Sequence, residues 1–148
     1  MDSDNTCPWA DYQPGTKYDI DVTNSEFHTD KVEREYANGH AMVNSDLEGT
    51  LSVAFGPIRP KSDGDNYLIL DTDNDGFSYV WSCSDVCVFK KCLHRPVLWV
   101  LNRSHELSRN SGVKEIRKAL AILENKFGYD AEILRSKIKL SSHENCDY

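Results

Sequence analysis

The chain of 148 residues has no run of 18 apolar residues, so no segment reads as a membrane-spanning helix. It has no basic patch either. Lys90 and Lys91 are followed only by His94 and Arg95, and 17 Lys and Arg are outnumbered by 24 Asp and Glu, for a net charge of −7. Such a chain repels phosphate backbones, which argues against nucleic acid as a partner. No basic, then apolar, leader opens the sequence; "MDSDNTC" reads as a truncated start rather than a targeting segment. Internal repeats and dividing linkers are lacking too, so residues 1–148 read as one domain, long enough to bury a proper core.

Metal signatures are thin. The stretch "DTDNDG", residues 71–76, matches the first half of a calcium loop through Asp71, Asp73, Asp75 and Gly76. The bidentate Glu that closes such a shell belongs at loop position 12, where Ser82 stands. The flanking runs "NYLIL" and "GFSYVWSC" suit strands, so the segment reads as a hairpin turn. Paired C-x-x-C spacing is absent; Cys83, Cys87, Cys92 and His94 form a loose match only. The histidines at 28, 40, 94, 105 and 143 are scattered and form no metal spacing, so no metal site is expected. The five cysteines fit disulfides in an oxidising compartment better, with one thiol left over.

What the sequence does carry is alternation. In 17–27, Tyr18, Ile20 and Val22 fall on one face and Lys17, Asp19 and Asp21 on the other, the pattern of a half-buried strand. Leu51, Val53 and Phe55 repeat it in 50–56. Further strands are expected at 9–13, 31–43 (where Gly39 allows a bend or a close approach), 66–71, 77–83 and 95–103, with a cysteine-bearing loop before the last. The period then changes. Val113, Ile116, Leu120, Leu123 and Phe127 recur at steps of three and four, an apolar stripe on a helix over 111–127, capped by Ser111 and ended by Gly128. A short strand at about 136–140 is expected next. Seven antiparallel strands and one helix predict a mostly all-β fold, an up-and-down barrel with the helix packed outside and room for one small ligand.

Three motifs now line up. "CPWADYQPG", Cys7 to Gly15, resembles the second-strand region of lipocalins, most closely the insect bilin-binding and apolipoprotein D-like members. Thr72-Asp73 is similar to the T-D turn of that family, and Arg103 in "WVLNRS" to the Arg that closes its last barrel strand. Their order and spacing cover nearly the whole chain. The family's G-x-W first strand is absent, since six residues precede Cys7. The resemblance implies a Cys7–Cys146 disulfide, a structural Arg103, and a partner for Cys83 in the segment that is not here. Cys87 and Cys92 are unusual for the family; they bridge within their loop, or one of them captures Cys83.

The resemblance turns the face of Val97, Trp99 and Leu101 toward the barrel cavity. Tyr12, Tyr18, Ile20, Val22, Val53 and Phe55 are candidate ligand-lining positions, with core packing the plain alternative. Asn24 shares the face of Val22 and is a candidate polar group for orienting a ligand at the barrel mouth. The expected function is secreted transport of a small hydrophobic ligand, biliverdin or another linear tetrapyrrole first, with retinoids, steroids, carotenoids and fatty acids as the broader set. Two other readings compete. One is an interaction protein that self-associates, or takes a partner strand, through the open barrel edge. The other is a lipid-modifying enzyme, for which Cys92 near His94 is the suggestive pair. Asn102-Arg103-Ser104 is a glycosylation sequon by pattern, overlapping a strand end.

Overall fold

Among the described residues, the alternating segments form seven strands, each pairing antiparallel with its chain neighbour within two units: β1 (Asn5–Pro14), β2 (Ile20–His28), β3 (Glu33–Val43) and β4 (Thr50–Phe55), then β5 (Tyr67–Thr72), β6 (Phe77–Val88) and β7 (Lys91–Asn102). Two helices follow, α1 (Arg109–Phe127) and α2 (Ala131–Lys137). This computed structural model describes residues 5–29, 31–88, 91–104, 109–138, 141, 143 and 146, and of these the side chains of 5, 6, 83–88, 91–95 and 109 lie outside the description. The chain divides into two compact units, residues 1–65 with 140–148, and residues 66–139.

The first unit holds β1 to β4. Its ladder registers set Tyr12 opposite Val22, Val22 opposite Gly39, and Gly39 opposite Phe55. Gly39 is required by proximity: a Cβ there would stand 2.6 Å from the Ala54 carbonyl oxygen and 2.7 Å from Phe55 Cδ1. β1 carries an irregularity between Thr6 and Trp9, where Cys7 takes a positive φ of 54°. Cys7 is buried and bonded to Cys146 across 139 positions, the bridge that the motif resemblance implies. Arg34 Nη1 donates to the Cys7 carbonyl oxygen at 3.2 Å and to Ser25 Oγ at 2.9 Å, tying the irregular segment to β2 and β3.

The second unit packs α1 on one face of β5–β7. Leu70, Tyr79 and Trp81 are buried against Ala119 and Leu123, with Leu68, Phe77, Leu98, Val100, Ile122 and Leu134 around them. Of the stripe read from the sequence, Leu123 lies in this cluster and Leu120 is buried, while Phe127, in the last turn, is 50% exposed. α1 ends where Gly128, at φ 71°, lets the amides of Gly128 and Tyr129 bond the carbonyls of Glu124 and Leu123. Among the described residues no helix is long and apolar enough to cross a membrane.

Three local expectations need correction. Ser111 lies inside α1, which starts at Arg109, and is not its cap. The strand expected at about 136–140 is helical through Lys137, because Asp130 accepts from the amides of Glu132 and Ile133 and starts α2 there; residues 139 and 140 lie outside the description. The cysteine loop expected between two strands is itself strand. β6 and β7 run on to pair Val88 with Lys91, since cross-strand pairing satisfies backbone groups that an open loop would leave to water.

Candidate ligand-binding faces

Directly opposed residues of an antiparallel ladder share a face. In the second unit Ser82 opposes Val97, Val80 opposes Trp99, and Ser78 opposes Leu101. Val97, Trp99 and Leu101 therefore lie together, on the side of the sheet away from α1. Ile69 joins them through its pairing with Val80. Tyr67 does so by its ring, which stacks on Trp99 at 6.1 Å with an interplanar angle of 22°. Trp99 keeps 41% of its surface exposed and Val97 37%, while Val80, beside Trp99 on the same face, is 1% exposed. The result is an apolar, partly open face with an aromatic pair at its centre. Tyr67 and Ile69 escape a sequence reading that stops at single strands; the alternation about Leu68, which faces the helix, would have found them.

The first unit brings six of the sequence-derived positions to within one ladder's reach. Tyr12, Ile20, Val22, Asn24, Val53 and Phe55 share a face, interleaved with the small residues Ala10, Ala37, Gly39 and Ala41. Val22 and Ala41 are buried and Tyr12 is 40% exposed. The Asn24 Oδ1 atom is shielded from water and has no hydrogen-bond partner among the described residues. A buried acceptor without a donor carries an unmet desolvation cost, which an N–H or O–H of a bound molecule would relieve.

Tyr18 departs from the sequence reading. β2 begins at Ile20, so Tyr18 is not carried by the alternation, and its ring leans on His40 at 5.0 Å. His40 pairs with Asp21, on the face opposite Val22, and its Nδ1 lies 2.8 Å from Asp21 Oδ1. That contact holds the Asp21 carboxyl below its usual range.

The "DTDNDG" turn is built by its own side chains. Asp73 Oδ1 accepts from the amides of Asp75, Gly76 and Phe77 at 3.1, 2.8 and 2.8 Å. Thr72 Oγ1 donates to the Phe77 carbonyl at 2.8 Å and accepts from the Asn74 amide at 3.0 Å. The three amides hold the Asp73 carboxyl low and turn it inward, toward backbone rather than toward an ion. The Arg103 amide donates to the Gly76 carbonyl at 3.0 Å, tying the end of β7 to this turn, while its side chain is exposed. The Asn102 side-chain amide is engaged with the Ser104 carbonyl at 2.6 Å. Trp9 packs edge-on against Tyr36 at 6.2 Å. The side chains of Cys83, Cys87, Cys92 and His94 lie outside the description, and with them the thiol-enzyme and loop-disulfide readings.

No curated protein sequence matches this chain. Among solved structures, lobster apocrustacyanin A1 is similar over 88% of this chain and 64% of its own length, with a TM-score of 0.59 at 18% identity. Apocrustacyanin C1 is similar over 96% of this chain and 69% of its own length, with a TM-score of 0.64 at 19% identity. The chain thus spans about two thirds of the length of these structures, and at such identity the likeness speaks for the fold. The model of the lipocalin-like domain matches residues 4–138. With that match over nearly all of the chain, and with strands, T-D turn and helix in the family's order, the chain belongs to the lipocalin family.

Proposed function

We propose that this protein is an extracellular carrier of a small hydrophobic ligand, with a linear tetrapyrrole such as biliverdin as its first candidate. The observation that carries the reading is the helix-free face of β5–β7, where Val97, Trp99 and Leu101 stand beside Tyr67 and Ile69. Apolar surface of this kind binds by being removed from water, at about 25 cal/mol per Å2 before ordering costs. A flat conjugated ligand stacks on Trp99 in the way that Tyr67 does. The Cys7–Cys146 bridge fits an oxidising, extracellular setting.

Titration of the oxidised chain with biliverdin, followed by tryptophan quenching and induced visible circular dichroism, tests the reading. Saturation at one ligand per chain with an induced signal supports it. Absence of both at tens of micromolar removes the bilin, and failure of retinoids, steroids, carotenoids and fatty acids as well removes the carrier function. Light scattering on the same samples would then decide whether the chain self-associates instead.

A further inference from the structure

The sequence shows no metal spacing around its histidines, yet the β2–β3 hairpin gathers a ligand set. Glu26 and His28 are two positions apart on β2 and share a face; Glu35 on β3 pairs with Glu26. His28 Nε2 lies 3.1 Å from Glu35 Oε2 and 3.6 Å from Glu26 Oε1, and one donor atom from each of the three residues lies within 4.8 Å of the others. Donors held at 2.0–2.1 Å around a tetrahedral zinc ion are about 3.4 Å apart, close to these spacings. The Nε2 atom is shielded from water, and its neighbours among the described residues are these two carboxylates, at ion-pair distance but not in good hydrogen-bond geometry. A ring nitrogen so placed is matched by a metal ion, which takes its lone pair directly. Lys31 Nζ contacts the other oxygen of Glu35, Oε1, at 3.2 Å, and Glu33 Oε1 at 3.9 Å. It leaves Oε2 facing His28 and orients the carboxylate from outside, as partners of metal ligands commonly do.

We propose that Glu26, His28 and Glu35 form a binding site for a divalent transition-metal ion, zinc foremost, near the turn end of the β2–β3 hairpin. One imidazole and two carboxylates suit zinc, cobalt or manganese. Three protein ligands leave the fourth position to water or to an oxygen of a bound molecule.

Cobalt(II) titration of the full oxidised chain, read by visible absorption and by paramagnetic broadening of amide resonances, tests the site, with zinc added afterwards as competitor. The expected result is one cobalt per chain, displaced by zinc, with broadening centred on residues 26–35 and no sulfur-to-cobalt charge-transfer band. H28Q and E35Q are each expected to weaken binding about tenfold or more, since loss of a mere supporting partner already costs 10–100-fold. Their amide spectra without metal report whether the fold is kept. No binding, a strong thiolate band, broadening centred on Cys83 to His94, or unchanged affinity in both folded variants would overturn the proposal.

Discussion

Glu115 is a buried carboxylate on the packing face of α1, and it is fully partnered. The Tyr79 hydroxyl donates to its Oε2, and Lys118 Nζ reaches Oε1 at 2.9 Å and Oε2 at 3.0 Å. Burial pushes the Tyr79 hydroxyl up and Glu115 adds to the shift, while the Tyr79 hydrogen bond, ahead of Lys118, holds Glu115 low. Replacing Glu115 by Ala strands the Tyr79 hydroxyl and is expected to cost about 1–3 kcal/mol in denaturant unfolding. The sign of the pH effect follows from the direction of the shift. A depressed carboxyl contributes in full above its unfolded value, about 4.3, and its contribution is lost as pH falls through the folded value. The Tm difference between wild type and E115Q is therefore predicted to hold steady above about pH 5 and to shrink below about pH 4. Gly39 is the other single position with a sharp consequence. Gly39→Val drives a side chain into the Ala54 carbonyl and the Phe55 ring and is expected to destabilise by about 1–3 kcal/mol, measured the same way.

At the scale of elements, sequence patterning reveals whatever a local period controls. Strands β2 and β4 and helix α1 are legible because alternation, or a three-four step, marks a face that must be buried. β6 and β7 are longer than their apolar runs, because pairing with each other extends them through Cys87 and Cys92. α2 has local signals that are plain once seen: Asp130 as cap, Glu132 in its first turn, Arg135 and Lys137 in its last. Seven residues give too short a stripe for the period to register. The shared faces of the candidate lining residues were legible where those residues sat inside strands. Tyr18 was not, because β2 starts two residues later, and the Glu26–His28–Glu35 group was not, because it depends on the β2–β3 register. Two predictions belong here. Leu123→Ala, at a fully buried contact of α1 with the sheet, is expected to cost about 2–5 kcal/mol in denaturant unfolding. Asp130→Ala is expected to cost about 1 kcal/mol and to speed amide exchange in α2 while leaving that in β6 unchanged.

At the scale of the whole molecule, the Cys7–Cys146 bridge spans 139 positions. In the chain-entropy account its removal in a C7S/C146S double variant lowers stability by about 4–5 kcal/mol. The proposed function rests on a different feature, the division of the β5–β7 sheet into a face that α1 covers and a face that it leaves to Trp99. The most direct measurement is the biliverdin Kd of wild type against Trp99→Ala, with Asp130→Ala as a control away from that face. If Val97, Trp99 and Leu101 form the ligand surface, Trp99→Ala weakens binding about tenfold or more, the scale of one lost aromatic contact together with its buried area, and the control leaves the Kd where it was. An unchanged Kd in a folded Trp99→Ala protein would contradict the account.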